Sequence, residues 1–252
     1  MTYILILFLT YVLHLLLKLN WVCTAVVLVF LLVMQHFHRI KGQRFQEARK
    51  RFLDVSLYID TLLYSFLKEQ KIIRAFEDVK STLADGHMKE TVSRAIDHMM
   101  LTFDETEVFV DAMRIIEDEY KCNRIVNAHE FMAHAEYYGG DIKESARILL
   151  KDKSAWERRI LRNIEDRQRM FHQIILSVVT SVIISGIILY LPVLSMDISS
   201  NIIVQILSVA LIVLDDLIIL WGQKFLEVDY LGIDLLPEDD KHAKKLDEYK
   251  AY

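Results

Sequence analysis

Four apolar runs bracket a long amphipathic middle. Tyr3 to Leu17 is apolar except for Thr10 and His14, and Lys18-Leu19-Asn20 interrupts it. Trp21 to Met34 is apolar again and leaves through Gln35-His36-Phe37-His38. The third run, Ile174 to Leu191, is closed by Pro192. A short polar turn, Asp197-Ile198-Ser199-Ser200-Asn201, leads to the fourth, Ile202 to Trp221, which ends at Gly222-Gln223-Lys224. A membrane-crossing helix needs about 20 apolar residues, and about 17 suffice. The first run is short and the second marginal, and the tight break between them predicts a helical hairpin that enters and returns. A cleaved signal peptide fits poorly, because no Lys or Arg precedes the apolar run and no small-x-small site follows it.

Between the second and third runs the period changes to that of amphipathic helices. A first helix, about Gln43 to Lys68, carries Phe45, Phe52, Val55, Ile59, Leu62, Leu63 and Phe66 on one stripe. A second, about Ile72 to Leu83, has Gly86 as its stop. A third runs from about His87 to Met99. A fourth opens on the capping box Thr102-Phe103-Asp104-Glu105 and continues with Val108, Ala112, Met113 and Ile116. A fifth spans about Asn123 to Tyr138 and stops at Gly139, a left-handed cap. Asp141 with Glu144 caps the sixth, which has only Gly186 as a helix-weakening residue before Leu191. As one helix, that last stretch is about 75 Å long, and its charges vanish near Ile174. The predicted fold is an all-α integral membrane protein, with four transmembrane helices, two N-terminal and two C-terminal, flanking a six-helix bundle. The expected divisions are a hairpin over 1–37, the bundle over 38–171, a second hairpin over 172–222 and a tail over 223–252.

Charge adds a direction. Arg39, Lys41, Arg44, Arg49, Lys50 and Arg51 follow the second run, and Arg158, Arg159, Arg162, Arg167 and Arg169 precede the third. The loops at the other ends hold only Lys18. Basic residues near span ends mark the cytoplasmic side, so the bundle and both termini are expected in the cytoplasm. Of the 252 residues 53% are hydrophobic, while 26% are charged, which leaves room for a sizeable water-facing domain. The net charge of −5 argues against nucleic acid as a partner. Seven Gly and two Pro point to few turns. The two cysteines, Cys23 and Cys122, form no framework and are expected to be inert thiols.

Candidate chemistry is sparse. His129-Glu130-Phe131-Met132-Ala133-His134 suggests a zinc protease, but its histidines are five apart where the motif needs four. Glu130 and His134 share a face and are expected as a surface pair. Asp104-Glu105-Thr106-Glu107 and Glu117-Asp118-Glu119 read as a solvated acidic face. No phosphate-binding loop, nucleophile elbow or Cys/His/Asn set is present. Neither catalysis nor a cofactor is expected. Asp215 and Asp216 are adjacent carboxylates in the fourth apolar run, where ionisable groups are costly and usually face protein or water. They are expected to reach the membrane interface or a neighbouring helix, or to serve a translocating subunit or a proton. Ser177, Ser181 and Ser185, with Gly186, make a stripe of small residues suited to close helix packing in lipid.

The combination of two spans, a bundle of about 130 residues and two further spans resembles the type II secretion system F domain family. It is most similar to its single-domain form, the TadB/TadC-like platform proteins of tight-adherence (Tad) pilus systems. The resemblance covers roughly residues 40–222. It is carried by Ala135-Glu136-Tyr137-Tyr138-Gly139-Gly140-Asp141-Ile142-Lys143-Glu144-Ser145, then by Arg158-Arg159 and the approach to lipid near Phe171, and by Ala75 to Val92. Glu136, Gly139, Gly140 and Asp141 match the family's acidic residue, glycine pair and helix start. The turn Lys68-Glu69-Gln70-Lys71 departs from the family's frequent glycine. The resemblance implies a non-enzymatic inner-membrane platform, coupling a cytoplasmic hexameric ATPase to extraction and assembly of pilin subunits. It also implies pairing with itself or with a paralogous platform protein. The alternative expectation, from another class, is a membrane-anchored signalling or adaptor protein.

Overall fold

The computed structural model describes residues 2–101, 108–138, 142–191, 201–228 and 230–231. Among these, every regular element is an α-helix: α1 (Thr2–Leu16), α2 (Trp21–Glu69), α3 (Ile72–Thr82), α4 (His87–Leu101), α5 (Val108–Tyr120), α6 (Asn123–Tyr138), α7 (Ile142–Leu189) and α8 (Ile202–Lys224). Three of them, α2, α7 and α8, are long and apolar enough to cross a membrane. The apolar α1 is shorter, at 15 residues.

The helix expected to begin near Gln43 does not begin there. It is the second half of α2, which runs 49 residues without a break. The residues joining the two halves include no proline, and their one glycine, Gly42, weakens a helix by only about 1 kcal/mol. The ladder therefore continues through it. α7 is likewise unbroken over 48 residues. Gly86 does not stop α3, which ends at Thr82 on an extended Leu83. Instead its carbonyl accepts from the Glu90 amide at 3.1 Å and so opens α4. The capping box at Thr102 and Glu105, the Gly139 cap and the Asp141 helix start lie outside the described residues.

Among the described residues, three helices end on a non-glycine residue in the left-handed region: Lys18 (φ 48°), Gln70 (φ 53°) and Lys121 (φ 45°). At the last two the residue's own amide closes a final turn, Gln70 N to Phe66 O and Lys121 N to Glu117 O, both at 2.8 Å. Those bonds satisfy carbonyls that a helix end otherwise leaves unpaired.

The chain divides into two compact units, one formed by residues 1–48 and 158–228, the other by residues 49–157 and 229–252. In the second, α3 packs on α4 and α6, α4 on α5, and α5 on α6. Its core holds Phe52, Tyr58, Leu62 and Phe66 from α2, Phe76 from α3, Val92 and Met99 from α4, Ile116 from α5, Met132 from α6 and Trp156 from α7. The Phe52 ring stands edge-on to Trp156, centroids 5.1 Å apart. Such pairs are favourable beyond their buried area.

In the first unit the pattern is reversed. Val22, Val26 and Val29 on α2, Leu176, Val179 and Ile183 on α7, and Ile203, Ile206 and Leu207 on α8 all face outward. Its small buried cluster is Leu13, Leu17, Leu19, Val27 and Ile212. Polar contacts collect at the two ends. At one, Lys18 Nζ donates to Leu189 O at 3.4 Å, Tyr190 Oη donates to Leu15 O at 2.6 Å, and Gln205 bonds both Asn20 N (2.9 Å) and Lys18 O (2.9 Å). At the other, Lys41 Nζ donates to Leu220 O at 3.1 Å, Arg167 to Phe225 O at 2.6 Å, and His38 reaches Asp216 and Gln223. From Ile202 to Gly222 is about 30 Å of helix, the thickness of a bilayer's hydrocarbon core. An apolar belt between two polar ends is the arrangement lipid selects.

Candidate functional site

Asp215 and Asp216 are neighbours on α8 with opposite environments. Asp216 faces α2, where His38 Nε2 donates to Oδ1 at 3.2 Å and lies 3.3 Å from Oδ2. The other ring nitrogen of His38 meets Gln223 Oε1 at 2.9 Å. One imidazole thus ties two positions of α8, seven residues apart, to one point on α2. Asp215 is 7% exposed, and its Oδ2 is shielded from solvent with no hydrogen-bond partner among the described residues. The expectation that these carboxylates reach a neighbouring helix holds for Asp216. Sequence reasoning did not find its partner, although depth offers a signal. His38 lies four residues beyond the apolar run ending at Met34, and Asp216 lies five residues inside Trp221, so the two lie at similar depth on helices running the same way.

Gly186 is buried, and a Cβ built there would fall 2.5 Å from Leu16 Cγ. Leu16 of α1 thus occupies the space that a side chain at this position of α7 would need. Ser181 and Ser185 are half-buried beside it, whereas Ser177 is exposed. Gly222 does a similar service for α8, with Ile174 Cδ1 at 3.0 Å from the Cβ it lacks. That second glycine was read only as a helix end.

A groove of about 720 Å³ opens between α1 and α2 in the same unit. Leu5, Ile6, Leu9, Leu31 and Leu32 make its apolar wall. Gln35, His36, His38, Arg39 and Asp216 gather at one end of it.

The bundle carries two buried polar clusters of its own. His129, 1% exposed, bonds Tyr58 Oη at 2.6 Å through Nε2 and Glu117 Oε1 at 2.7 Å through Nδ1. Glu117 only accepts, so Nδ1 carries the proton and Nε2 accepts from the phenol. Burial pushes the imidazole below its ordinary value, against the pull of Glu117, and pushes the Tyr58 phenol well above its own. Both groups are therefore neutral near pH 7, as this bonding requires. Lys153, 2% exposed, sits between Asp60 (2.5 Å) and Glu157 (2.8 Å). Both clusters join helices distant in sequence, which is why no local pattern announced them. Of the His129–His134 segment, His129 is core, while Glu130 and His134 are exposed and line an open groove with Phe131 and Ile148. Cys122 is buried.

Glu136 is exposed near the end of α6. Gly139, Gly140 and Asp141 lie outside the described residues, so the four motif residues are not brought together as a described site. Among the described residues, no three His, Cys, Asp or Glu side chains gather with the geometry of a metal site. Comparison of the chain with protein-family models, with curated proteins and with solved structures gave no match.

Proposed function

We propose that this chain is a multi-pass platform protein of the inner, cytoplasmic membrane. Its bundle would face the cytoplasm with both termini, bind the hexameric ATPase of a Tad-like pilus or type II secretion machine, and transmit that motor's action to pilin subunits in the bilayer. The observation that carries the reading is the continuity of α2 and α7. Each is a single helix of nearly 50 residues that begins or ends in an apolar segment and spends its other half in the bundle. A continuous helix is one route by which a rearrangement in its bundle half could reach its apolar half. The basic residues beside both apolar segments supply the orientation, and the resemblance around Tyr137 to Ser145 supplies the class of machine. In this reading α1 is the fourth span, and a second copy or a paralogue completes the platform.

The reading is tested by binding. The full chain in detergent, immobilised through its tail, should retain the secretion ATPase of the same cell. Of the acidic run on α5 only Asp118 is exposed, Glu117 being turned to His129, and Asp118→Lys should alter that retention. Failure of two folded proteins to associate in either nucleotide state would remove the proposal. Reporter fusions check the orientation separately: those at Asn20 and Ser199 should report outside, those at Lys89 and Lys241 inside.

A further inference from the structure

The groove between α1 and α2 has two chemistries, unlike the shallow apolar face beside it. The shallow face of α2 around Trp21, Val22, Ala25 and Val26 is apolar throughout, so it offers lipid tails nothing to select. The α1–α2 groove is apolar along Leu5, Leu9 and Leu31 and polar only where α2 leaves the apolar run. From Leu31 to Arg39 is about 12 Å along the helix, the length of a stretch of acyl chain below a headgroup. At about 720 Å³ it falls within the roughly 300–1,000 Å³ typical of ligand sites.

The polar end also has an identifiable charge. Asp216 supplies its one carboxylate, and His38 already holds that group from α2. Lys41, one turn on, is committed to Leu220 O. Arg39 is exposed and has no ion pair or hydrogen bond among the described residues, and exposed His36 stands edge-on to the Phe37 ring. A free guanidinium with an imidazole beside it, at the top of an apolar slot, is complementary to a phosphate carrying a tail. Guanidinium recognises such oxyanions through its planar fork of donors, and interfacial Arg and Lys attract anionic lipid.

We propose that this groove is a binding site for one anionic glycerophospholipid, with its phosphate at Arg39 and His36 and one acyl chain along Leu9 and Leu31. The proposal rests on the membrane placement of this unit and is independent of the platform role, so loss of ATPase binding leaves it standing.

Native mass spectrometry of the full chain, stripped of lipid in detergent and titrated with phosphatidylglycerol, tests it. One lipid should be retained per chain. Arg39→Glu should weaken retention by at least about tenfold, since it replaces an attraction with a repulsion, and Arg39→Lys should restore most of it. Leu31→Trp, which fills the slot, should also weaken retention, whereas Val26→Trp on the shallow face should not. Circular dichroism of each variant should match the parent. Equal retention by the parent, Arg39→Glu and Leu31→Trp would overturn the site. Equal retention of phosphatidylcholine would overturn its preference for an anion. Displacement of the lipid by millimolar inorganic phosphate would show that the ligand is the free anion rather than the lipid.

Discussion

The two units spend the same aliphatic residues in opposite directions. In the bundle Leu62, Val92 and Ile116 point inward, while charged residues such as Arg114 and Asp118 point outward. In the other unit Val26, Ile183 and Leu207 point outward, and what lies between the helices includes Gly186, Gly222, Ser208, Gln205 and Asp215. The difference follows from the solvent. Burial of apolar area drives the bundle, at roughly 25 cal/mol per Å². Lipid gives no such drive, so helices there associate through close backbone approach and polar ties. The two units should therefore fail differently when mutated.

The sharpest contrast is expected from large-to-small changes. Trp156→Ala removes the ring that packs on Phe52 and should cost the bundle about 3–5 kcal/mol. It should appear as a large drop in the denaturant midpoint followed by near-UV circular dichroism. Val26→Ala, on the outward face of α2, should leave that midpoint almost unchanged. An equal loss at the two positions would break the comparison.

His129→Ala should cost about 1–3 kcal/mol, because it strands the Tyr58 hydroxyl and the Glu117 carboxylate together. A pH dependence accompanies it. The folded imidazole titrates below its unfolded value near 6.5. Below about pH 6.5 the unfolded chain therefore binds a proton that the folded chain refuses, and stability falls as the pH falls. Denaturant midpoints measured between pH 8 and pH 5 should decline in the parent and decline less in His129→Ala. Identical slopes would remove His129 as the cause.

In the other unit the counterpart is small-to-large. Gly186→Val places methyl groups where Leu16 already stands and should cost about 1–3 kcal/mol. Its readout is a lower yield of a disulfide engineered between α1 and α7. The bundle's denaturant midpoint should not move.

The smallest effect is a gain. Lys121 holds a left-handed conformation that costs a side-chain-bearing residue roughly 1–2 kcal/mol. Lys121→Gly should stabilise the bundle by about 0.5–1 kcal/mol, read as a higher denaturant midpoint, the remainder being lost to glycine's freedom in the unfolded chain.

Much of this architecture was legible because it is local. Period and composition place α3, α4 and α6 to within two residues, and the start of α8 follows from the polar turn ending at Asn201, whose side chain accepts from Ile203 N. The join inside α2 was misread because a change of amphipathic pattern resembles a boundary, whereas only a backbone breaker makes one. The polar clusters were not legible for another reason. Tyr58 and His129 are 71 positions apart, and His38 and Asp216 are 178 apart. Each member alone reads as an ordinary surface or interface residue, and only the packing of helices supplies its partner. The Asp215-Asp216 pair was recognisable as unusual because its cost in lipid is a property of the residues themselves.

The Gln205 amide bears on how the chain is made. It accepts from Asn20 N and donates to Lys18 O, which clasps the two sides of the first turn. The turn and the side chain that clasps it lie 185 residues apart in the chain. Until α8 has emerged, the loop joining α1 and α2 lacks these two bonds, so the hairpin is completed only after the bundle between them has been made. A chain halted before residue 205 would carry that hairpin unlatched.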